Sequence, residues 1–91
     1  MAKVYHATQP VFGLYHKGTP KFPEQYDLVA EIEGVTLDKA YELTNHINCP
    51  WWDNDGVVTV KKSRSTSVGD VIVTEEGTFL CESIGWKKLE V

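Results

Sequence analysis

The sequence predicts an α+β fold: a small, mainly antiparallel β-sheet of four to five strands with one packed α-helix. Three observations carry the prediction. Several short runs alternate apolar and polar residues, as half-buried strands do. A single stretch repeats its apolar residues at helical spacing. Clusters of Gly, Pro, Asn and Asp separate these runs. At 91 residues, the chain has the length of one compact domain spanning 1–91.

Lys3 to Thr8 alternates as a short strand would. Val11, Phe12, Leu14 and Tyr15 form a second apolar patch around Gly13, and the K-G-T-P-K-F-P stretch that follows reads as a loop. Tyr26 to Glu33 is a clearer strand, with Leu28, Ala30 and Ile32 on one face and Asp27, Val29, Glu31 and Glu33 on the other. Gly34 stops it. Thr36 to Asn48 is the predicted helix. Thr36 is a good N-cap, Asp38 lies in the first turn, and Leu37, Ala40, Tyr41, Thr44 and Ile47 make its apolar stripe. Asn48 and Pro50 end it.

Cys49 to Gly56 is a loop with two adjacent tryptophans, Val57 to Lys61 a β-rich run, and Ser63 to Asp70 a second loop. Val71 to Thr74 and Thr78 to Ile84 read as a hairpin closed by a three-residue turn, Glu75-Glu76-Gly77, with Gly where φ must be positive. Trp86 and Leu89 are expected to pack the last segment onto the core.

The composition is that of an ordinary globular domain, 42% hydrophobic and 24% charged, with a formal charge of −4. An acidic balance argues against a general nucleic-acid binder, which needs basic residues to displace phosphate counterions. No basic segment leads into an apolar run, so no secretory leader is expected. No stretch approaches the roughly 18 apolar residues of a membrane span. A cytoplasmic setting is the expectation, and with it two reduced thiols, Cys49 and Cys81.

The most unusual stretch is R-S-T-S-V-G-D, Arg64 to Asp70. Ser, Thr and Asp in loops commonly bond to nearby backbone and fix a turn, and this is the favoured reading. The functional alternative is an anion or partner contact through Arg64, Ser65 and Ser67. Lys61, Lys62 and Arg64 are a basic cluster, read either as a solvated strand end that protects a sheet edge or as a phosphate contact. Trp51 and Trp52 are expected to point opposite ways, one into the core and the other out beside Asp53; the outer one reads either as a contact for a partner or as a tryptophan lying over the sheet edge.

His46 and Cys49 form one H-x-x-C pair, with His6, His16 and Cys81 elsewhere. A structural zinc site needs four ligands in paired short spacings, so no metal site is expected. No nucleophile–base motif and no Gly-rich phosphate loop is present. No catalytic residue and no cofactor are therefore assigned, and a core this small is expected to leave little room for a ligand pocket.

Four segments carry a resemblance: L-D-K-A-Y-E-L-T-N (Leu37 to Asn45), P-W-W (Pro50 to Trp52), R-S-T-S-V-G-D-V-I (Arg64 to Ile72) and S-I-G-W-K-K-L (Ser83 to Leu89). Together they resemble small phage and mobile-element proteins, and the S-V-G-D-V-I run followed by a hairpin and a G-aromatic-x-x-L ending is similar to the YodL-like domain. The resemblance implies a phage accessory protein acting by binding, in a host cell's cytoplasm, and supplies no catalytic residue. The expected partner is a host or viral protein, met by the loops at 50–55 and 64–67. The rival readings are a nucleic-acid module using Lys61, Lys62, Arg64 and an exposed Trp, and a small enzyme or ligand-binding protein.

Overall fold

The computed structural model describes residues 1–8, 22, 24–45 and 50–90. They form β1 (Ala2–Ala7), β2 (Tyr26–Ile32), α1 (Leu37–Leu43), a single turn of 3-10 helix (Trp51–Asp53), β3 (Val57–Thr59), β4 (Val71–Thr74), β5 (Gly77–Cys81) and β6 (Trp86–Leu89). The strands make one sheet in the order β3-β2-β1-β4-β5-β6, with every neighbouring pair antiparallel. β1 and β4 lie at its centre. The connection from β3 to β4 therefore starts at one edge of the sheet and ends in the middle, and residues 60–70 must cross two strands to make it.

Apolar residues cover both faces of the sheet. On one face Ala2, Val4, Ala30, Ile32 and Ile72 pack with Ala40 of α1 and with Trp51, and Leu37, Leu43, Trp52 and Val57 close the cluster. On the other, Ala7, Tyr26, Val71 and Leu80 pack with Tyr5, Phe22 and Leu89. Phe22 stands edge-on to both Tyr5 and Tyr26, with ring centroids 4.9 and 5.4 Å away.

The predicted alternation of β2 is broken by a bulge. Val4 pairs with Ala30, but the next residue, Tyr5, pairs with Leu28. Val29 is the extra residue and turns to the helix side, joining Ala30 and Ile32 in that cluster. Leu28 is thereby moved to the opposite face from Ala30 and Ile32, against the expectation that the three share one. The carbonyl of Val29 accepts from the amides of both Val60 and Lys61, at 2.8 and 3.1 Å, and so guides the chain out of β3.

α1 begins as expected: the Thr36 hydroxyl accepts from the Lys39 amide at 3.2 Å. It ends sooner, at Leu43, where the Thr44 side chain bonds back to the carbonyl of Ala40 at 2.8 Å and competes with continuation of the helix. Positions 46–49 of the predicted helix and following loop, including His46 and Cys49, lie outside the described residues, as does the patch at 11–15.

The sheet has six strands where four to five were expected. The addition is β6, formed by the segment expected only to pack on the core. Trp86 packs on the helix-side cluster and Leu89 on the opposite one, and all four residues of β6 extend the ladder on β5. The β4–β5 turn is tighter than expected: Thr74 pairs with Gly77, leaving Glu75 and Glu76 as a two-residue turn. Gly77 still carries the positive φ, +141°, and a Cβ there would lie 2.6 Å from Cε of Lys88.

Candidate functional site

Residues 60–70 lack regular secondary structure; backbone bonds from Val60, Lys61, Thr66, Gly69 and Asp70 hold parts of the segment, and side-chain bonds add to them. Asp70 is the hub. Its carboxylate is fully buried and accepts four bonds: from the backbone amides of Ala7 at 2.9 Å and Ser67 at 2.8 Å, and from the two ends of the Arg64 guanidinium at 2.6 and 2.8 Å. Arg64 also donates to the carbonyl of Ala7 at 3.2 Å. The fork geometry holds Arg64 charged, and its hydrogen bond to Asp70 raises its pKa further. Asp70 thereby continues the β1–β4 ladder with its side chain where the two strands part.

A second chain of bonds runs beside it. The Thr44 hydroxyl donates to the carbonyl of Ala40, and the Thr66 hydroxyl donates to Thr44 at 2.7 Å. Each hydroxyl has one proton, so Thr66 accepts from Nε2 of His6, 2.7 Å away. Nδ1 of His6 then accepts from the Ser63 hydroxyl at 3.1 Å. His6 is therefore neutral, with its proton on Nε2. Burial drives its pKa from 6.5 down to about 4, against a smaller opposing pull from Asp70. Its nearest approach to that carboxylate is 3.9 Å, too long for a hydrogen bond.

Ser63 and His6 share the contact of a nucleophile and its base. A base with a pKa of about 4 takes a serine proton poorly at neutral pH. The third position is filled by a threonine hydroxyl, while the carboxylate that would orient the ring is occupied by Arg64. The cluster thus binds loop to sheet, in line with the turn-fixing reading of 64–70. Tyr26 adds to it by donating to the carbonyl of Gly69 at 2.6 Å. Burial raises the Tyr26 hydroxyl to about 12, so it remains a donor.

The predicted site residues separate into two groups. Trp51 is fully buried, and its indole N–H donates to the carbonyls of Ser63 and Arg64 at 3.0 and 2.9 Å. It is a core residue and cannot meet a partner. The same bonds join the loops at 50–55 and 64–67. Trp52 is partly buried, edge-on to Trp51 at 5.4 Å, with the Lys62 ammonium 5.4 Å over its ring. Asp53 and Ser67 are exposed and Ser65 partly so. Arg64 keeps 39% of its side chain exposed while gripping Asp70.

The basic cluster is engaged throughout: Lys61 bonds to Asp27 at 2.8 Å, Lys62 covers Trp52 and Arg64 holds Asp70. Cys81 is a buried free thiol, pushed by burial up to about 11. Among the described residues no three His, Cys, Asp or Glu gather as a metal site would need, and no helix is long and apolar enough to cross a membrane. The surface is less closed than expected. An open cavity of about 400 Å³ lies between α1 and the β4–β5 turn, away from the Asp70 cluster.

Sequence reasoning missed His6, Thr44 and Ser63 as members of this cluster. His6 sits at an inward position of β1, which is the signal that marks it as a buried partner. No family model, no curated protein and no solved structure matches this chain.

Proposed function

We propose that the protein acts by binding another protein, without catalysis, through the surface carried by residues 50–55 and 60–67. The observation behind this reading is the pair of bonds from the Trp51 indole to Ser63 and Arg64. They tie the segment that carries Trp52 and Asp53 to the one that carries Lys62 and Arg64, and the Lys62 ammonium stands 5.4 Å over the Trp52 ring. Tryptophan and arginine are among the residue types enriched in binding hot spots, and loops on a fixed scaffold are where binding function concentrates. The resemblance to YodL-like domains makes the proposed setting a phage or mobile element, with a host or viral protein as partner in the host cytoplasm.

A nucleic-acid module is the weaker reading. Each cation of the Lys61, Lys62 and Arg64 cluster already has a partner within the chain, and thirteen acidic residues oppose nine basic ones.

The test is capture of partners from bacterial lysate with the tagged protein and its Trp52→Ala and Lys62→Glu variants. Folded Trp52→Ala is expected to lose the captured protein, with binding weakened about tenfold or more. Equal capture by the parent and both variants would place the surface elsewhere. Salt-sensitive retention of DNA or RNA, lost in Lys62→Glu, would favour the nucleic-acid reading instead.

A further inference from the structure

On the same face of the sheet as Trp52, but at the opposite edge, lies a second, smaller cavity. It is about 220 Å³ and opens between α1 and the β5–β6 hairpin. Its lining combines three kinds of group. Val68 and the buried Cys81 supply apolar surface. Tyr41 and Trp86 are aromatic walls, nearly perpendicular with centroids 6.1 Å apart. Asp38 and Glu82 are exposed carboxylates in the lining. Asp38 is held against the wall by the Trp86 indole, which donates to its Oδ1 at 3.1 Å. Ile84 stands on the adjoining hairpin loop with 90% of its surface exposed.

We propose that this cavity takes a single lysine or arginine side chain presented by a partner polypeptide, with Ile84 as the neighbouring apolar contact. The volume suits a single side chain better than a drug-sized ligand, which occupies roughly 300–1,000 Å³. Charge excludes an anion: the lining holds two carboxylates and no basic side chain. A neutral apolar group would cover the carboxylates without pairing them, which is costly. A lysine or arginine matches each part, with its aliphatic stem along Val68 and Cys81 and its charged head between the aromatic faces and the carboxylates. An exposed isoleucine is ordinary by itself. Beside this cavity it gives an incoming chain an apolar foothold next to the charged one. The site lies by the β6 edge and Trp52 by the β3 edge, so it stands or falls independently of the function proposed above.

The experiment uses the full chain and the N-acetylated peptide amide leucine-lysine-leucine, followed by the Trp86 indole resonance in a nitrogen–proton correlation spectrum. The peptide is expected to move that resonance saturably, and the same peptide with norleucine for lysine is expected to leave it in place. Asp38→Asn with Glu82→Gln should weaken binding about tenfold, while Glu24→Gln with Glu33→Gln, which removes equal charge elsewhere, should change it less than about twofold. Where the first pair loses its dispersed amide spectrum, Glu82→Gln alone, on the exposed hairpin, should weaken binding about threefold. An unmoved Trp86 resonance, or equal weakening by the two charge-matched pairs, would overturn the proposal.

Discussion

Asp70 shows how one carboxylate can take the place of a stretch of backbone ladder. Four donors converge on it from β1, from its own loop and from Arg64. Removing one partner strands the other, and the penalty exceeds the modest net gain of forming such a pair. Asp70→Asn and Arg64→Ala are each expected to lower stability by about 3 kcal/mol in urea unfolding. Their double variant should cost clearly less than the sum, because the two share one interaction. His6 sets a pH dependence of definite sign. Its pKa is lower in the folded chain, about 4, than the 6.5 of an exposed histidine. Between those values the unfolded chain binds more protons, so this contribution is fully present above pH 6.5 and is lost as the pH falls towards 4. The full change is about 3 kcal/mol. Urea midpoints from pH 4 to 8 check this, and a His6→Asn variant should have a flatter profile. Cys81, buried and raised to about 11, should react with thiol reagents far more slowly than an exposed cysteine, as mass spectrometry of the labelled chain would show.

The elements were legible in the sequence to the extent that their cause was local. Thr36 caps α1 as its type and position imply, and Thr36→Ala should cost about 1 kcal/mol in thermal or urea unfolding. The start of β2 at Tyr26 and the extent of β4 also follow from alternation and turn residues. The end of α1 was not legible, because the stripe through Thr44 and Ile47 suits a helix until Thr44 turns its hydroxyl back on Ala40 and onward to Thr66. The Val29 bulge left no local mark either. Its cause is a carbonyl shared with Val60 and Lys61, some thirty residues on. β6 was hidden for a similar reason: W-K-K-L alternates weakly, and only pairing with β5 makes it a strand. Lysines at such an edge also discourage pairing with other chains.

At the scale of the whole molecule, the strand order forces the connection from β3 to cross to the centre of the sheet, and the polar cluster is how that crossing is held. The sequence made the R-S-T-S-V-G-D run conspicuous and its turn-fixing role readable. Its long-range partners were not readable, since His6, Ala7 and Tyr26 lie some forty to sixty residues away. The two tryptophans were separable in principle by alternation, but the 3-10 turn they occupy decided which one is buried. Trp51→Ala should cost about 3–5 kcal/mol and leave the chain largely unfolded, whereas Trp52→Ala should remain folded by circular dichroism. Residues 60–70 thus form a rigid strap built around Asp70. Native-state amide hydrogen exchange at Thr66 and Ser67 tests it most directly, since the first amide bonds to the carbonyl of Thr44 and the second to the Asp70 carboxylate. Both are expected to exchange as slowly as the paired amides of β4, and Asp70→Asn is expected to speed exchange at Ser67. Exchange at both sites as fast as in an exposed loop, in a chain whose β4 amides stay protected, would contradict it.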